Sequence, residues 1–333
     1  MKTKVAVIGT GSMGRNHARV YWEMPEVEFV GIADADLDKA SALGNKYGIP
    51  VFKDYQELLD NQKPDAVTVA VPTIMHHQVA MEVIDRGIHL LLEKPVAQEI
   101  EQGKEIIKKA AEKNVKLMIG HIERFNPAII TLQQELEKKV LGKIYYLESH
   151  RVGPFPARIS DVGVIIDLAV HELDIMRHIA QSEIKRVYAE TERRIHTAHE
   201  DLISATLRME NGIIGTISIN WLTPTKIREL KVIGELGMFK VDYLTQDLYF
   251  YENSSAKGSE WETFQILRGV SEGKVIKYSF SKKEPLRAEQ EAFLSAIRED
   301  QAIPVTGEDG LQALVLAKKM IESGTTHQSV TCE

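Results

Sequence analysis

Three glycines with the spacing Gly-x-Gly-x-x-Gly follow a short apolar segment, residues 5–8, and open a predicted helix. Gly9 suits a tight turn, Gly11 lets backbone amides approach a bulky anion, and Gly14 lets the helix pack closely. The N-terminus of that helix presents its positive dipole to the anion. The pattern predicts a turn that binds the pyrophosphate of a dinucleotide. This turn comprises Gly9, Thr10, Gly11, Ser12, Met13 and Gly14.

An acidic residue, Asp34, follows the next apolar segment and lies 20 residues after Gly14. A carboxylate at this place accepts hydrogen bonds from the adenosine ribose 2′-OH and repels a 2′-phosphate. The sequence therefore predicts NAD, rather than NADP, as the cofactor. The nearby Asp36 is interpreted as the N-cap of a helix that begins near Leu37.

Pro72 and His76 follow a predicted strand, residues 66–71, at the carboxyl edge where open α/β sheets bind ligands. Two interpretations of His76 remain open. It either takes part in catalysis and cofactor binding, or it is a structural histidine that opens the next helix.

Glu93, Lys94 and Pro95 end the following predicted strand, residues 89–92, at the same edge. An ammonium group there can hold a substrate hydroxyl and stabilise developing alkoxide charge during hydride transfer. The alternative is a solvated loop lysine, but the position favours a functional Lys94.

A third cluster lies in an apolar segment, residues 164–180, that is predicted to be helical. The spacing puts Asp167 and His171 on one face, with Asp174 three residues further along it. Buried polar groups need partners or a chemical role. The cluster is interpreted as a metal site, as an acid/base pair of His171 and Asp167, or as a satisfied core network.

The elements that position these clusters divide the chain into two predicted domains. Strand-like and helix-like segments alternate through residues 1–120, which predicts a doubly wound, parallel Rossmann sheet. Residues 121–333 are predicted to form an α+β domain with a large, mostly antiparallel open sheet and two closing helices. Its predicted strands are residues 184–195, 201–209, 213–221, 226–233, 237–243 and 247–252.

Composition excludes several classes of protein. A formal net charge of -7 argues against broad attraction to nucleic acid or to an anionic membrane surface. No apolar run has the length of a membrane span, and the early strand leaves no room for a signal peptide, so a cytoplasmic protein is expected. The only cysteine, Cys332, excludes an intramolecular disulfide.

Taken together and in this order, the four motifs resemble those of the Gfo/Idh/MocA oxidoreductases over nearly the whole chain. The resemblance implies that Lys94 and His171 are the catalytic pair, that Asp167 orients the substrate, and that no metal takes part. It leaves open which of the pair accepts the proton first. Ala169 departs from the family pattern, because many members have glycine there, and its methyl group would narrow the pocket.

The segments 121–127 and 151–158 resemble those of the subgroup that oxidises the 3-hydroxyl of UDP-N-acetylglucosamine. Arg124, Arg151 and Arg158 are predicted to bind the substrate diphosphate, because the forked guanidinium suits it. The alternative for each arginine is an ordinary ion pair. The far wall of the pocket is interpreted as Asn220, Trp221, Lys226 and Arg228, and the alternative for Trp221 is a core position.

Two alternatives to a nucleotide-sugar dehydrogenase were considered. One is a free cyclitol or monosaccharide dehydrogenase, and the other is a non-catalytic NAD-sensing regulator. An intact set of Lys94, Asp167 and His171 argues against the regulator. The expected assembly is a homodimer or homotetramer through the C-terminal sheet, whose open face is expected to expose apolar area.

Overall fold

The computed structural model describes residues 2–156, 162–196, 198–253 and 272–332. The chain forms two compact units. The first contains Met1–Ile122 and Glu284–Val315, and the second contains Glu123–Lys283 and Leu316–Glu333.

The first unit contains a parallel sheet of six strands in the order β3-β2-β1-β4-β5-β6. Its strands are β1 (Thr3–Ile8), β2 (Val27–Ala33), β3 (Val51–Phe52), β4 (Ala66–Val69), β5 (His89–Leu92) and β6 (Leu117–Ile119). The connecting helices are α1 (Ser12–Glu23), α2 (Leu37–Tyr47), α3 (Tyr55–Gln62), α4 (Thr73–Asp85) and α5 (Ile100–Glu112). Strands β4 and β5 are apolar and buried along almost their whole length, because helices cover both faces of a doubly wound sheet. The predicted Rossmann sheet is confirmed.

Local chemistry sets where these helices begin. The side chain of Asp36 accepts a hydrogen bond from the backbone N–H of Lys39, which confirms that it caps α2. Asp54 caps α3 in the same way through the N–H of Gln56. Helix α1 begins at Ser12 inside the glycine turn, and Gly11 at its N-cap has no side chain to occupy the first amides.

Two helices near the C-terminus, α8 (Pro285–Arg298) and α9 (Gly307–Thr326), follow the large sheet in the chain. The sequence analysis assigned both to the second domain, whereas residues 284–315 group with the first unit. The reason is that α8 packs on α1, where Gln290 contacts His17 across 273 positions of sequence. Such a contact leaves no local periodic signal.

The second unit contains a sheet of nine strands in the order β14-β13-β12-β11-β7-β10-β9-β8-β15. Neighbouring strands are antiparallel except β7 and β10, which are parallel. The strands are β7 (Ile144–Pro154), β8 (Ile184–Glu192), β9 (Leu202–Met209), β10 (Ile214–Asn220), β11 (Leu222–Gly234), β12 (Gly237–Asp242), β13 (Asp247–Asn253), β14 (Glu272–Lys277) and β15 (Val330–Thr331). The predicted open sheet is confirmed, although β14 and β15 were not predicted.

The two faces of this sheet differ in polarity. Side chains alternate between the two faces along each strand, and those of one face, such as Leu207 and Ile217, are buried. On the other face, Thr206, Thr216, Glu148 and Lys231 lie side by side on four neighbouring strands. The same face also exposes Tyr188, which lies opposite Thr206, and Ile214, two residues before Thr216, so the predicted apolar area is present there beside polar groups.

The helical part of the second unit contains one irregular stretch. A 3-10 turn (Ile122–Phe125) precedes helix α6 (Pro127–Glu137). The predicted helix over residues 164–180 is present, but its first part, Ile165–Ala169, is a π-helix that continues into α7 (Val170–Ala180). Among the described residues, no helix combines the length and apolarity needed to cross a membrane.

Candidate active site

The glycine turn in the first unit has little room for side chains. Gly9 has φ +92°, and a Cβ there would lie 2.5 Å from the carbonyl oxygen of Ala70. A Cβ on Gly14 would lie 1.8 Å from the carbonyl oxygen of Gly9, whereas one on Gly11 would meet nothing within 4 Å. A side chain at Gly9 or Gly14 would therefore collide with the protein backbone, so both positions require glycine whether or not a ligand is bound. The space beside Gly11 fits an approaching dinucleotide.

Asp34 lies at the end of β2, directly beside this turn. Its Oδ2 accepts hydrogen bonds from the N–H of Thr10 at 2.6 Å and the hydroxyl of Thr10 at 2.7 Å. Its Oδ1 accepts from the N–H of Asp36 at 2.8 Å. A carboxylate offers about four acceptor positions, so these contacts orient the group and leave capacity for a ribose hydroxyl. The geometry of the turn and of Asp34 fits the adenosine half of NAD.

Pro72 and His76 hold the next loop. Pro72 is exposed at the N-cap of α4, whereas His76 is 1% exposed. The two ring nitrogens of His76 lie 2.8 Å from the carbonyl oxygen of Pro95 and 3.0 Å from that of Val71. Burial lowers the pKa of the imidazole below its usual value. These contacts support the structural interpretation, because His76 braces the loops after β4 and β5 and does not present a ring nitrogen outward.

The Glu93-Lys94-Pro95 motif lies at the carboxyl end of β5, as predicted. Lys94 is half-buried, and its peptide bond to Pro95 is cis. The Glu93 side chain is buried, with Oε1 2.8 Å from Nε2 of His17 and Oε2 3.2 Å from the N–H of Lys94. Burial acts to raise the pKa of Glu93, but His17 and the positive charge of Lys94 hold it below its usual value. Glu93 is therefore a buried carboxylate that holds His17 and the backbone of Lys94, and the contact of Glu93 and Lys94 with the cofactor stays a prediction.

The third cluster lies in the second unit, where the π-helix meets α7. Asp167 and His171 are both partly exposed, and Ala169 between them is fully buried. The methyl group of Ala169 therefore packs inside the unit and does not narrow an accessible pocket. Because the bonding pattern of a π-helix differs from that of an α-helix, the four-residue spacing that defined the predicted face applies only from residue 170 onward. π-Helical turns of this kind occur frequently at functional sites.

Asp174 has a structural partner. Its two oxygens accept hydrogen bonds from Nε and Nη2 of Arg124, at 2.8 and 2.5 Å. This bidentate pair removes Asp174 from the ligands of the metal interpretation. Within the described ranges, no group of three histidine, cysteine, aspartate or glutamate side chains is arranged to hold a metal ion. The same pair occupies Nε and Nη2 of Arg124, whose side chain is largely buried, so these two donors are directed at Asp174 and not at a diphosphate.

Arg151 is 2% exposed and lies inside the second unit, so the prediction that it binds a substrate diphosphate is not supported. Its guanidinium donates to Glu172 and, at 2.7 Å, to Glu123. Burial acts to lower the pKa of Arg151, but the charges of Glu172 and Glu123 raise it. The ion-pair alternative is therefore the one that the geometry favours. Arg158, the third predicted diphosphate ligand, lies outside the described residues.

Arg228 keeps partial exposure, with 29% of its side chain accessible, and Lys226, two residues before it, is exposed. It lies opposite Arg151 in the register of β11 and β7, and its Nη1 is 3.9 Å from Glu123. Burial and the neighbouring Arg151 lower the pKa of Arg228, whereas the carboxylates of Glu123, Glu172 and Asp167 act in the opposite direction. Arg228 therefore faces the same group of carboxylates as Arg151 but from a more accessible position.

Sequence analysis missed a set of buried polar residues behind Glu93. They are His17 on α1 and the neighbouring Glu289 and Gln290 on α8, each fully buried. For His17 a local signal existed, because it follows Gly14 by three residues on the face of α1 that packs inward. For the pair on α8 no such signal existed, since their partners lie in distant parts of the chain.

Comparison with known proteins agrees with the fold and the motifs. Residues 3–121 match the model of the oxidoreductase family with an NAD-binding Rossmann fold, and residues 129–240 match the GFO/IDH/MocA C-terminal domain. UDP-N-acetylglucosamine 3-dehydrogenase from Acidithiobacillus ferrooxidans is 29% identical over 94% of this chain and 95% of its own.

Two further likenesses extend over the whole length. A solved structure of UDP-N-acetylglucosamine 3-dehydrogenase from Acidithiobacillus ferrooxidans superimposes with a TM-score of 0.85 at 27% identity, over 98% of this chain and 100% of that one. Myo-inositol 2-dehydrogenase from Thermotoga maritima is 24% identical over 96% of both chains. The two family models together span more than half of the sequence, and the chain is therefore an NAD-dependent dehydrogenase of the Gfo/Idh/MocA oxidoreductase family.

Proposed function

We propose that the protein oxidises a secondary hydroxyl group of a sugar, namely the 3-hydroxyl of UDP-N-acetylglucosamine, to give UDP-3-oxo-N-acetylglucosamine. The observation that carries this proposal is the end-to-end similarity to the UDP-N-acetylglucosamine 3-dehydrogenase of Acidithiobacillus ferrooxidans in sequence and in fold. The motifs agree with an alcohol oxidation, because a lysine, a histidine and an aspartate are available in partly accessible positions.

The residues divide the reaction between them. His171 removes the proton of the substrate hydroxyl, Lys94 stabilises the oxygen as its negative charge develops, and Asp167 orients the sugar. When bound, NAD accepts the hydride from the same carbon at its nicotinamide ring. The alternative order, in which Lys94 accepts the proton first and His171 stabilises the oxygen, uses the same pair, and so does the reverse reaction. The turn from Gly9 to Gly14 and Asp34 would hold the adenosine half of the cofactor.

Formation of NADH with a panel of substrates tests this function. We expect turnover of UDP-N-acetylglucosamine and little turnover of free N-acetylglucosamine or myo-inositol. Lys94→Ala and His171→Ala should each lower kcat by about 100-fold or more, as is typical for removal of an acid/base or charge-stabilising group. His178→Ala on the same helix is the matched control and should retain activity. Unchanged turnover in both active-site variants would contradict the assignment.

A second candidate is the oxidation of a free cyclitol or monosaccharide. Two observations favour it: the chain covers 96% of the Thermotoga maritima myo-inositol 2-dehydrogenase, and Arg151 is committed to buried carboxylates. The same substrate panel distinguishes the candidates. Turnover of myo-inositol, with no dependence on the UDP group, would replace the first proposal by the second.

We also propose that the protein is a homodimer or homotetramer through the open face of the nine-stranded sheet. This face combines polar groups with the exposed side chains of Tyr188 and Ile214, and a homodimer interface has apolar side chains at its centre with polar groups around them. Light scattering at micromolar concentration should report a mass of two or four chains. Thr206→Arg together with Thr216→Arg would place like charges at the centre of the row and should shift the mass to a monomer.

A further inference from the structure

A carboxyl group with no ionic partner is buried in the first unit. Glu289 on α8 is 0% exposed, and neither of its oxygens has a hydrogen-bond partner among the described residues. The titratable groups that act on it are Glu93, beyond the end of β5, and Tyr21 on α1. Neither supplies a positive charge. A buried carboxylate ion without hydrogen bonds is very costly, so Glu289 is stable there only as the neutral acid.

Glu93 has the opposite surroundings. It accepts a hydrogen bond from the Nε2 atom of His17 at 2.8 Å and another from the N–H of Lys94 at 3.2 Å. The side-chain amide of Gln290 donates to Nδ1 of His17 at 2.9 Å and to its backbone oxygen at 3.2 Å. Because Nδ1 is an acceptor in this contact, the proton of the ring lies on Nε2 and is directed at Glu93. Of the two carboxyl groups, Glu93 is thus the one whose hydrogen bonds stabilise the ionised form.

Two carboxyl groups that interact inside a protein do not both ionise, and the group with the better hydrogen bonds takes the charge. Burial, and after it the negative charge of Glu93, raises the pKa of Glu289 well above its usual range. Tyr21 adds no competing charge, because burial raises its pKa as well and its hydroxyl contacts Thr68 at 2.8 Å. The difference in ionisation between Glu93 and Glu289 therefore depends on groups from α1, β4, the end of β5 and α8.

We propose that Glu289 is a positioning residue that carries a proton throughout the working pH range and thereby fixes the negative charge on Glu93, next to Lys94. Glu93 is the chain neighbour of Lys94, and the negative charge on its Oε2 holds the backbone N–H of Lys94 at 3.2 Å. A charge on Glu289 would displace this negative charge to α8. The effect on catalysis rests on the proposed role of Lys94, whereas the protonation of Glu289 does not, so the two can fail separately.

The first test is the stability of Glu289→Gln as a function of pH. In the unfolded chain Glu289 ionises above about pH 5, but in the folded protein it stays protonated. The wild type therefore loses stability as the pH rises toward the raised folded-state pKa, whereas the glutamine variant does not. We expect the unfolding constant of the variant, relative to wild type, to fall by about tenfold for each pH unit above about pH 5.

Urea denaturation across this pH range measures the difference. Glu291→Gln, two residues along the same helix and partly exposed in an ion pair with Arg287, is the matched control and should show no such trend. A Glu289→Gln protein whose stability relative to wild type is independent of pH overturns the proposal, because Glu289 would then be an ion in the folded protein as it is in the unfolded chain.

Infrared spectroscopy locates the proton directly. At neutral pH the wild type should show the carbonyl stretch of a protonated carboxylic acid. This band should be absent from Glu289→Gln and should persist in Glu93→Gln. The reverse pattern would place the proton on Glu93 and overturn the assignment.

The kinetics of the reaction test the link to Lys94. With the substrate that turns over, Glu93→Gln should lower kcat by about tenfold with little change in KM, because a neutral amide holds the backbone N–H of Lys94 less tightly than a carboxylate does. Glu289→Gln in the Glu93→Gln background should leave kcat where the single variant has it. A kcat that does not change in Glu93→Gln removes the link to Lys94, and the infrared and denaturation results then stand by themselves.

Discussion

The two units bury titratable groups in opposite ways. In the second unit, Arg151 and Arg124 neutralise Glu172, Glu123 and Asp174 through direct ion pairs. In the first unit, Glu289 and His76 are buried with no guanidinium beside them and are held in their neutral forms. The second unit therefore pairs its buried charges, whereas Glu289 and His76 of the first unit give up theirs. The paired groups lie in the unit that contains Asp167 and His171, and the neutral groups lie in the unit that contains Lys94.

The comparison explains why burial alone does not identify a functional residue. Desolvation acts on both regions, and the outcome depends on whether an opposite charge is supplied at hydrogen-bond distance. Arg151 has two carboxylates within reach and stays charged, whereas Glu289 faces another carboxylate and stays protonated. Substitutions that delete one partner should consequently have large effects in the second unit and smaller, pH-dependent effects in the first.

The largest effect is expected from Arg151→Met. The substitution leaves Glu172 and Glu123 buried without their guanidinium, and removal of one member of such a group costs about 3–5 kcal/mol. Urea denaturation at pH 7 measures the loss. Arg194→Met, at an exposed pair with Glu192, is the control and should change stability by less than about 0.5 kcal/mol. A loss below about 1 kcal/mol for Arg151→Met would show that the carboxylates find other partners or take up protons.

A smaller effect, with a definite pH dependence, is expected from His76→Asn. A neutral His76 has one N–H and donates to one of its two carbonyl neighbours, and the shorter asparagine side chain cannot hold that hydrogen bond while filling the space of the ring, which should cost about 1–2 kcal/mol at pH 7. The lowered pKa of folded His76 means that only the unfolded chain takes up its proton below about pH 6.5, so the wild type loses stability as the pH falls.

The variant lacks this contribution, and its stability should fall less steeply between about pH 6.5 and 5. Thermal denaturation over this range provides the measurement. His77→Asn alters the next residue, whose ring lies nearer the surface, and is the control. An unchanged acid slope in His76→Asn would mean that His76 is already protonated in the folded protein.

The smallest effect on stability is expected from Arg228→Met. Its side chain is 29% exposed and its distance to Glu123 is 3.9 Å, so the change should be within about 1 kcal/mol. Calorimetry compared directly with Arg151→Met measures the contrast between two arginines that face each other across β7 and β11. If both variants lose the same stability, the distinction between a buried and an accessible guanidinium in this sheet is wrong.

The local parts of the fold were predictable from the sequence. The glycine turn, Asp34, and the Glu93-Lys94-Pro95 motif follow apolar strands, and a strand that ends in such residues fixes their place at the sheet edge. The bounds of β5, His89–Leu92, agree with the prediction for the same reason. The cap at Asp36 was also recognisable, because it depends on contacts within one turn of helix.

The long-range parts were not predictable. An arginine in a sequence indicates a surface or ligand-binding group, and only the register of β7 and the position of Glu172 show that Arg151 is buried. In the same way, Glu289 gives no local sign that another carboxyl group, Glu93, acts on it inside the protein. The packing of α8 on α1 decides both its burial and the unit to which it belongs.

The π-helical stretch Ile165–Ala169 contains Asp167 and precedes His171. It therefore sets the angle around the helix axis between these two side chains. Successive residues of an α-helix are turned by about 100° around its axis, so one residue more or less in this stretch redirects every side chain before it. Deletion of Leu168 would let the segment continue as regular α-helix and would swing Asp167 away from its present bearing without altering either chemical group. The direction of the Asp167 side chain thus depends on the number of residues in the π-helical stretch.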